Sequence, residues 1–169
     1  MAPSRAAARD VPSGVRARVR MGELLLSTQG RIRRRDVWVL SIAIVVAAIL
    51  GAFVLREFIG ARAIWLVVSA ATVWPIVAVG AKRLRDRGKT PWPWLGLYLG
   101  PTLVLTVLQL AGIGYIWAGG IAYPDGFVPN MLSFLALIVL LVGLFECAML
   151  PGEPGANRFG PDPRILILD

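Results

Sequence analysis

Two runs of nineteen uncharged residues, Val37–Leu55 and Ala63–Ala81, are separated by a short break holding Arg56, Glu57 and Arg62. Nineteen helical residues rise about 28 Å, close to the hydrocarbon thickness of a bilayer. The second run leads into a basic hinge, Val79–Trp94, where Lys82, Arg83, Arg85, Arg87 and Lys89 face a single acid, Asp86. A hinge this short allows only a tight turn between two antiparallel membrane helices. Its charge fixes the side of the membrane on which that turn lies.

Composition points the same way. A soluble domain would carry about a quarter charged residues; here 17% of 169 residues are charged and 57% are hydrophobic, with mean hydropathy +0.69. Lipid, rather than a large soluble core, is the implied solvent. The net charge of +8 could suggest nucleic acid, but the cations sit at the ends of apolar runs, as the positive-inside arrangement requires. Aromatic residues do not interleave the Arg-rich start, so nucleic-acid recognition is not expected. One cysteine, Cys147, and no histidine exclude an intrachain disulfide framework. They also exclude a zinc or haem site built on His or several Cys, and no cofactor is expected.

Two further spans follow. No charge occurs from Thr90 to Pro124, where one helix from Trp94 to about Ile113 fits; Pro101 should kink it, and Gln109 is its strongest polar group. The glycine-rich stretch Gly112–Gly126 reads as an interfacial loop. Met131–Leu150 forms a fourth apolar run interrupted only by Glu146. The expected helices therefore cover about 37–55, 63–81, 94–113 and 131–150, with Pro75 kinking the second. Trp74 lies too deep for an interfacial belt, so packing against another helix is expected. Gly96 with Gly100, and Ala47 with Gly51, make small-residue pairs that permit close helix approach. Residues 1–20 are basic, apolar-poor and expected to be disordered. Met21 is a candidate alternative start, and Met21–Leu26 begins a segment that could lie along the membrane surface. Residues 21–163 form the membrane domain. The Pro/Gly-rich tail beyond 150 reads as a turn-rich loop at headgroup level, with 164–169 as a short end.

Counted by alternate segments, 16 Lys and Arg fall on one side and two on the other. The fold class is thus an all-α membrane protein, a four-helix transmembrane bundle with both termini and the hinge cytoplasmic, capped by basic residues. A three-span alternative would make Thr90–Ile121 re-entrant and move the tail outside.

Three motifs carry a family resemblance. Gly30-Arg31-Ile32-Arg33-Arg34-Arg35-Asp36-Val37-Trp38 resembles the opening of the small YhaH-like bacterial inner-membrane proteins, known as domain of unknown function 805. Lys82-Arg83-Leu84-Arg85-Asp86-Arg87-Gly88-Lys89-Thr90-Pro91-Trp92 is similar to that family's hinge. Gly152-Glu153-Pro154-Gly155-Ala156-Asn157-Arg158-Phe159-Gly160-Pro161-Asp162-Pro163 resembles its closing signature. Arg85 stands where the family usually has His, and Val37 where it has an aromatic residue. The resemblance implies a polytopic bacterial inner-membrane protein and brings no activity with it.

Threading of this kind gathers all three motifs at one end. A polar cap is expected there, with Asp36, Asp86 and Glu146 pairing with Arg31, Arg34, Lys82, Arg83 and Arg158. Glu146 lies inside its helix end, where an unpaired carboxylate is costly; an ion pair with Lys82 or Arg83 is favoured over a proton or cation site. The basic residues suit anionic lipid headgroups as well as topology. The reading is a structural or interaction protein that contacts anionic lipid, a membrane partner or a second copy of itself. A small oligomeric transporter or channel subunit, with Pro75, Pro101 and Gln109 along a path, is the alternative. No Ser/His, Cys/His or paired-carboxylate arrangement suggests an enzyme.

Overall fold

The computed structural model describes residues 25–163. The expectations for residues 1–20, for the start at Met21 and for 164–169 lie outside that range. Four helices carry the fold: α1 (Arg34–Leu55), α2 (Ala61–Asp86), α3 (Pro91–Ala111) and α4 (Phe127–Ala148). Their lengths, 22, 26, 21 and 22 residues, each suffice to cross the hydrocarbon layer. Neighbours in sequence are neighbours in space: α1 packs on α2, α2 on α3 and α3 on α4, while α4 meets α1 more sparsely.

The ends of the helices follow local chemistry. The second helix runs five residues beyond its expected end, because nothing breaks it before Gly88 and arginine is a good helix former. At Gly88 the backbone turns left-handed (φ +69°). The Gly88 amide then donates to Arg85 O at 3.0 Å and the Lys89 amide to Leu84 O at 2.9 Å, the paired bonds of a Schellman stop. Pro91 opens α3 at its first position, where the missing amide costs nothing. Both α2 and α3 continue as helices through Pro75 and Pro101.

The stretch 112–126 is not the loop that was expected. Tyr115–Ala118 (β1) and Ile121–Pro124 (β2) pair antiparallel, Ala118 opposite Ile121, across a Gly119-Gly120 turn with φ +57° and +83°. Two consecutive residues with positive φ are what the tight hairpin turn demands. The all-α expectation is corrected: among the described residues, the four long helices are accompanied by one short hairpin. Tyr115 Oη and Ser133 Oγ, 2.7 Å apart, fasten the hairpin to α4, and Trp117 Nε1 donates to Gln109 O at 2.9 Å.

Burial is concentrated at one end of the bundle. The buried residues of α1 are Asp36, Val37, Leu40 and Ile44, all in its first half. Those of α2 lie between Ala78 and Asp86, and those of α3 are Pro91, Leu95 and Tyr98. One apolar cluster joins Ile32, Val37, Leu40, Ile44 and Val79; a second joins Ala81, Leu84, Leu95 and Tyr98. Away from this end the helices present large apolar side chains outward, including Leu50, Phe53, Val107 and Phe134. Such an exterior suits lipid, where apolar exposure carries no hydrophobic penalty. Trp74 does not pack into a helix interface: it is 48% exposed, and its Nε1 donates to Leu26 O at 2.8 Å.

The close approaches also differ from expectation. A Cβ at Gly51, Gly96 or Gly100 would meet nothing within 4 Å. Helices instead come together at Gly80, where a Cβ would lie 2.9 Å from Leu95 Cδ2, and at Gly143, where it would lie 2.5 Å from Tyr98 Cγ. Glycine spacing alone does not say which face is turned inward. Because the Tyr98 hydroxyl is bonded to Glu146, its ring has little freedom to move aside. Gly143→Ala is therefore expected to cost about 1–3 kcal/mol through overpacking. Gly100→Ala should be neutral or stabilise by up to about 1 kcal/mol through helix propensity. Thermal unfolding in detergent checks the pair; equal shifts in Tm would contradict the assignment of these faces.

Candidate functional site

The site grows from the last turn of α2. Its helical spacing sets Arg83 and Asp86 three residues apart on one face, and Arg83 Nη1 reaches Asp86 Oδ2. The other carboxylate oxygen, Oδ1, accepts from Arg31 Nε at 3.1 Å and Nη2 at 3.0 Å. A single carboxylate is thus clasped by two guanidiniums, and all three side chains are almost fully buried (6% exposed for Asp86, 1% for each arginine). The remaining donors of Arg31 go to the closing segment: Nη2 to Glu153 O at 2.7 Å, and Nη1 to Gly155 O at 2.6 Å and Gly160 O at 3.2 Å. Arg83 Nε donates to Cys147 O at 2.8 Å and Nη2 to Leu150 O, so the cation meets carbonyls at the end of α4 that have no helical partner. The carbonyl of Asp86 itself accepts from the Glu153 amide at 2.8 Å. A Cβ at Gly152 would land on the Asp86 carboxylate, which explains glycine there.

The closing segment folds into a tight turn. Asn157 and Gly160 exchange backbone hydrogen bonds at 3.1 and 3.0 Å, and Asn157 Oδ1 accepts from the Phe159 amide at 2.9 Å. The Asn157 Nδ2 group donates to Arg85 O at 2.9 Å and Glu153 Oε2 at 3.0 Å, which pins the turn to the hinge. Buried Asp162 accepts from the Gly155 amide at 2.9 Å.

Glu146 forms a second centre, with partners other than those expected. It meets Arg87 Nη1 and Lys89 Nζ through Oε1, and the Tyr98 hydroxyl through Oε2. Arg83 is unavailable because Asp86 and the α4 carbonyls occupy it. Arg87 and Lys89 reach the carboxylate because the Gly88 turn folds the hinge back over the end of α4. Lys89 Nζ also lies 3.9 Å from the Trp94 ring centroid.

Of the residues singled out in the sequence, Arg31, Asp86 and Arg83 share one centre, with Glu146 in the neighbouring one. Lys82 is buried at 4% exposure. Arg34 and Arg158 were expected to meet carboxylates and instead meet neutral oxygens: Arg34 Nη1 donates to Met149 O at 3.1 Å, and Arg158 Nη2 donates to Gly88 O at 2.9 Å and Thr90 Oγ1 at 3.2 Å. Asp36 is buried and lies 3.7 Å from Arg35 Nε, whose own side chain is exposed. Arg87, Lys89, Tyr98, Glu153, Asn157 and Asp162 belong to the arrangement and were not singled out individually. For all but Tyr98, which lies further along α3, the signal lay in the hinge and closing motifs, which repeat Asp, Asn, Gly and Pro at turn-forming spacing.

The arrangement holds charge; it does not expose a reactive group. Removing one member of a buried ion triad leaves the others uncompensated. Asp86→Ala should cost about 3–5 kcal/mol, and replacing Arg31 by Met in the same chain should recover part of that loss. Glu146→Gln should cost less, because Arg87 and Lys89 remain partly solvated. Thermal unfolding of the purified variants in detergent measures all three.

A family model described as "Protein of unknown function (DUF805)" matches residues 25–161. Uncharacterized protein YiiR of Escherichia coli strain K12 is 33% identical over 144 residues, covering 82% of this chain and 86% of YiiR. YiiR of Escherichia coli O157:H7 matches to the same extent. No solved structure matches the chain. The matched range spans all four helices, the opening and hinge motifs and all but the last two residues of the closing motif, which interlock at one end, and the chain belongs to the DUF805 family.

Proposed function

We propose that this chain is a structural or interaction protein of the bacterial inner membrane. It holds its polar cluster at the cytoplasmic face and contacts anionic lipid headgroups there. The observation that supports this most is a division among the cations at that end. Arg31 and Arg83 are turned inward and saturated, whereas Arg34, Arg35 and Arg158 remain exposed beside them. Topology needs only the charge count. An outward-facing set on a rigid base adds attraction to an anionic leaflet, about 1 kcal/mol per cation near the surface. Trp38 and Trp92, both partly exposed at the same end, suit the headgroup level.

The cytoplasmic assignment rests on the Lys/Arg bias of the connecting segments. A transport role, with Pro75, Pro101 and Gln109 along a path, draws less support because α2 and α3 remain helical through both prolines. A membrane-protein partner at the same face is the other outcome that the experiments below would reveal.

Cysteine labelling tests the threading. In a Cys147→Ala background, Ala156→Cys should react with a membrane-impermeant maleimide only from the cytoplasmic side, and Ala118→Cys only from the opposite side. The reverse pattern would overturn the orientation. Lipid extracted with the purified protein should be enriched in phosphatidylglycerol or cardiolipin relative to the membrane. Replacing Arg34 and Arg35 together by Gln should reduce that enrichment, while the Tm changes by less than that of Asp86→Ala.

A further inference from the structure

The three motifs also enclose a groove of about 390 Å³. Gln29 and Gly30 line it from the segment before α1, Arg85, Thr90 and Trp92 from the hinge and the start of α3, and Phe159 from the closing turn. Among the described residues, no carboxylate lines it. Its two nearby cations differ from Arg31, Arg83, Arg87 and Lys89 in one respect: among the described residues, neither Arg85 nor Arg158 pairs with a carboxylate. Arg85 donates to Thr28 O and lies 5.9 Å from the Phe159 ring centroid. Arg158 lies 4.6 Å from the same centroid and is bonded to the hydroxyl of Thr90 at 3.2 Å. Two guanidiniums outside any ion pair among the described residues therefore lie near one aromatic ring at the edge of the groove.

Below the groove the surface of α3 changes character. Trp92, half-exposed, stands at the head of a helical face that continues through Gly96 and Gly100. A Cβ at either glycine would meet nothing within 4 Å, so this face is open and free of side-chain relief at two successive turns below the groove. A cationic groove above an open apolar helix face matches one kind of molecule.

We propose that the groove binds the phosphate of an anionic phospholipid, with Arg85 and Arg158 opposite the phosphate and one acyl chain along the open Gly96–Gly100 face of α3. Guanidinium groups suit phosphate oxygens because their paired N–H donors match the geometry. The Trp92 indole lies at the boundary between headgroup and chain, where amphipathic rings are favoured. This site rests on the anionic-lipid reading above and gives it a specific address: a seat formed jointly by all three motifs rather than a diffuse cationic face.

Native mass spectrometry of the full chain in detergent, titrated with phosphatidylglycerol, phosphatidylcholine and glycerol 3-phosphate, tests the assignment. The wild type should prefer phosphatidylglycerol over phosphatidylcholine. Arg158→Gln, an exposed change with no role in the buried clasp, should weaken phosphatidylglycerol binding by roughly tenfold, the loss expected for one hydrogen bond to a charged group. Arg85→Gln should do the same, and unchanged thermal unfolding confirms that each variant is folded. Gly96→Leu covers this face, with open space for its Cβ, and should weaken the phospholipid while leaving glycerol 3-phosphate unaffected. If both arginine variants keep wild-type preference, the groove is overturned while the anionic-lipid reading stands. No preference in the wild type overturns both. Glycerol 3-phosphate binding as tightly as the lipid, with no effect of Gly96→Leu, would identify a soluble phosphate ester and overturn the lipid assignment.

Discussion

Asp86 is the carboxylate on which the ordered end of this molecule depends. Two buried guanidiniums approach it, one from the chain before α1 and one from the preceding turn of its own helix. A buried ion pair is not inherently a large net stabiliser, because desolvation of both partners opposes their attraction. Its consequence is positional. Arg31 and Arg83 cannot leave Asp86 without stranding charge, and each carries further donors that must find acceptors. Those acceptors are carbonyls at the end of α4 and in the closing turn. One acid thereby ties the approach to α1, the end of α2 and the exit from α4 into a single unit. Lysine could not replace either arginine in this role, since a point charge lacks the planar fork that serves a carboxylate and several carbonyls at once.

The rest of the bundle follows from having one rigid end. Burial is concentrated near the clasp, where Leu84, Leu95 and Tyr98 pack beneath it. Tyr98 connects the apolar and polar layers, with its ring against Gly143 and its hydroxyl on Glu146. Beyond that level the helices face outward with leucine, valine and phenylalanine, and lipid rather than protein is the solvent that suits them. At the opposite end the connection is the Gly-turned hairpin, held to α4 by Tyr115 and to α3 by Trp117. That hairpin satisfies backbone groups that a bare loop would leave open near the apolar layer.

The spans and the grouping of the motifs were legible from charge spacing alone, because apolar length and cation position are properties of the chain taken locally. The pairing was not. Glu146 was assigned to Lys82 or Arg83 on the basis of depth, but depth does not show that the hinge folds back at Gly88 and delivers Arg87 and Lys89 instead. The hairpin was hidden because four-residue strands leave almost no periodic signal, and Gly119-Gly120 reads equally as a flexible loop. Gly96 and Gly100 looked like a packing seam; only the rotation of α3 shows that Gly80 and Gly143 hold the close approaches. The closing motif was visible as a pattern, yet its meaning required Asn157 in three dimensions, where one amide bonds its own turn, the hinge carbonyl of Arg85 and Glu153.

The division of the basic residues then acquires a physical sense that charge counting does not supply. Had positive charge served orientation alone, any solvated arrangement of lysines and arginines would suffice. Instead some arginines are withdrawn from water into a closed set of ion pairs and carbonyl contacts, which is costly for a charge that only needs to be counted. A fixed base makes sense where other charged groups must be held in a defined relation to one another. Arg85 and Arg158 are such a pair, placed on opposite segments of the chain and brought to one aromatic ring by the turn that Asn157 pins. The bond from Asn157 Nδ2 to Arg85 O holds together the two backbone segments that carry them. A preorganised pair of cations recognises an anion of matching shape at lower entropic cost than freely moving side chains would.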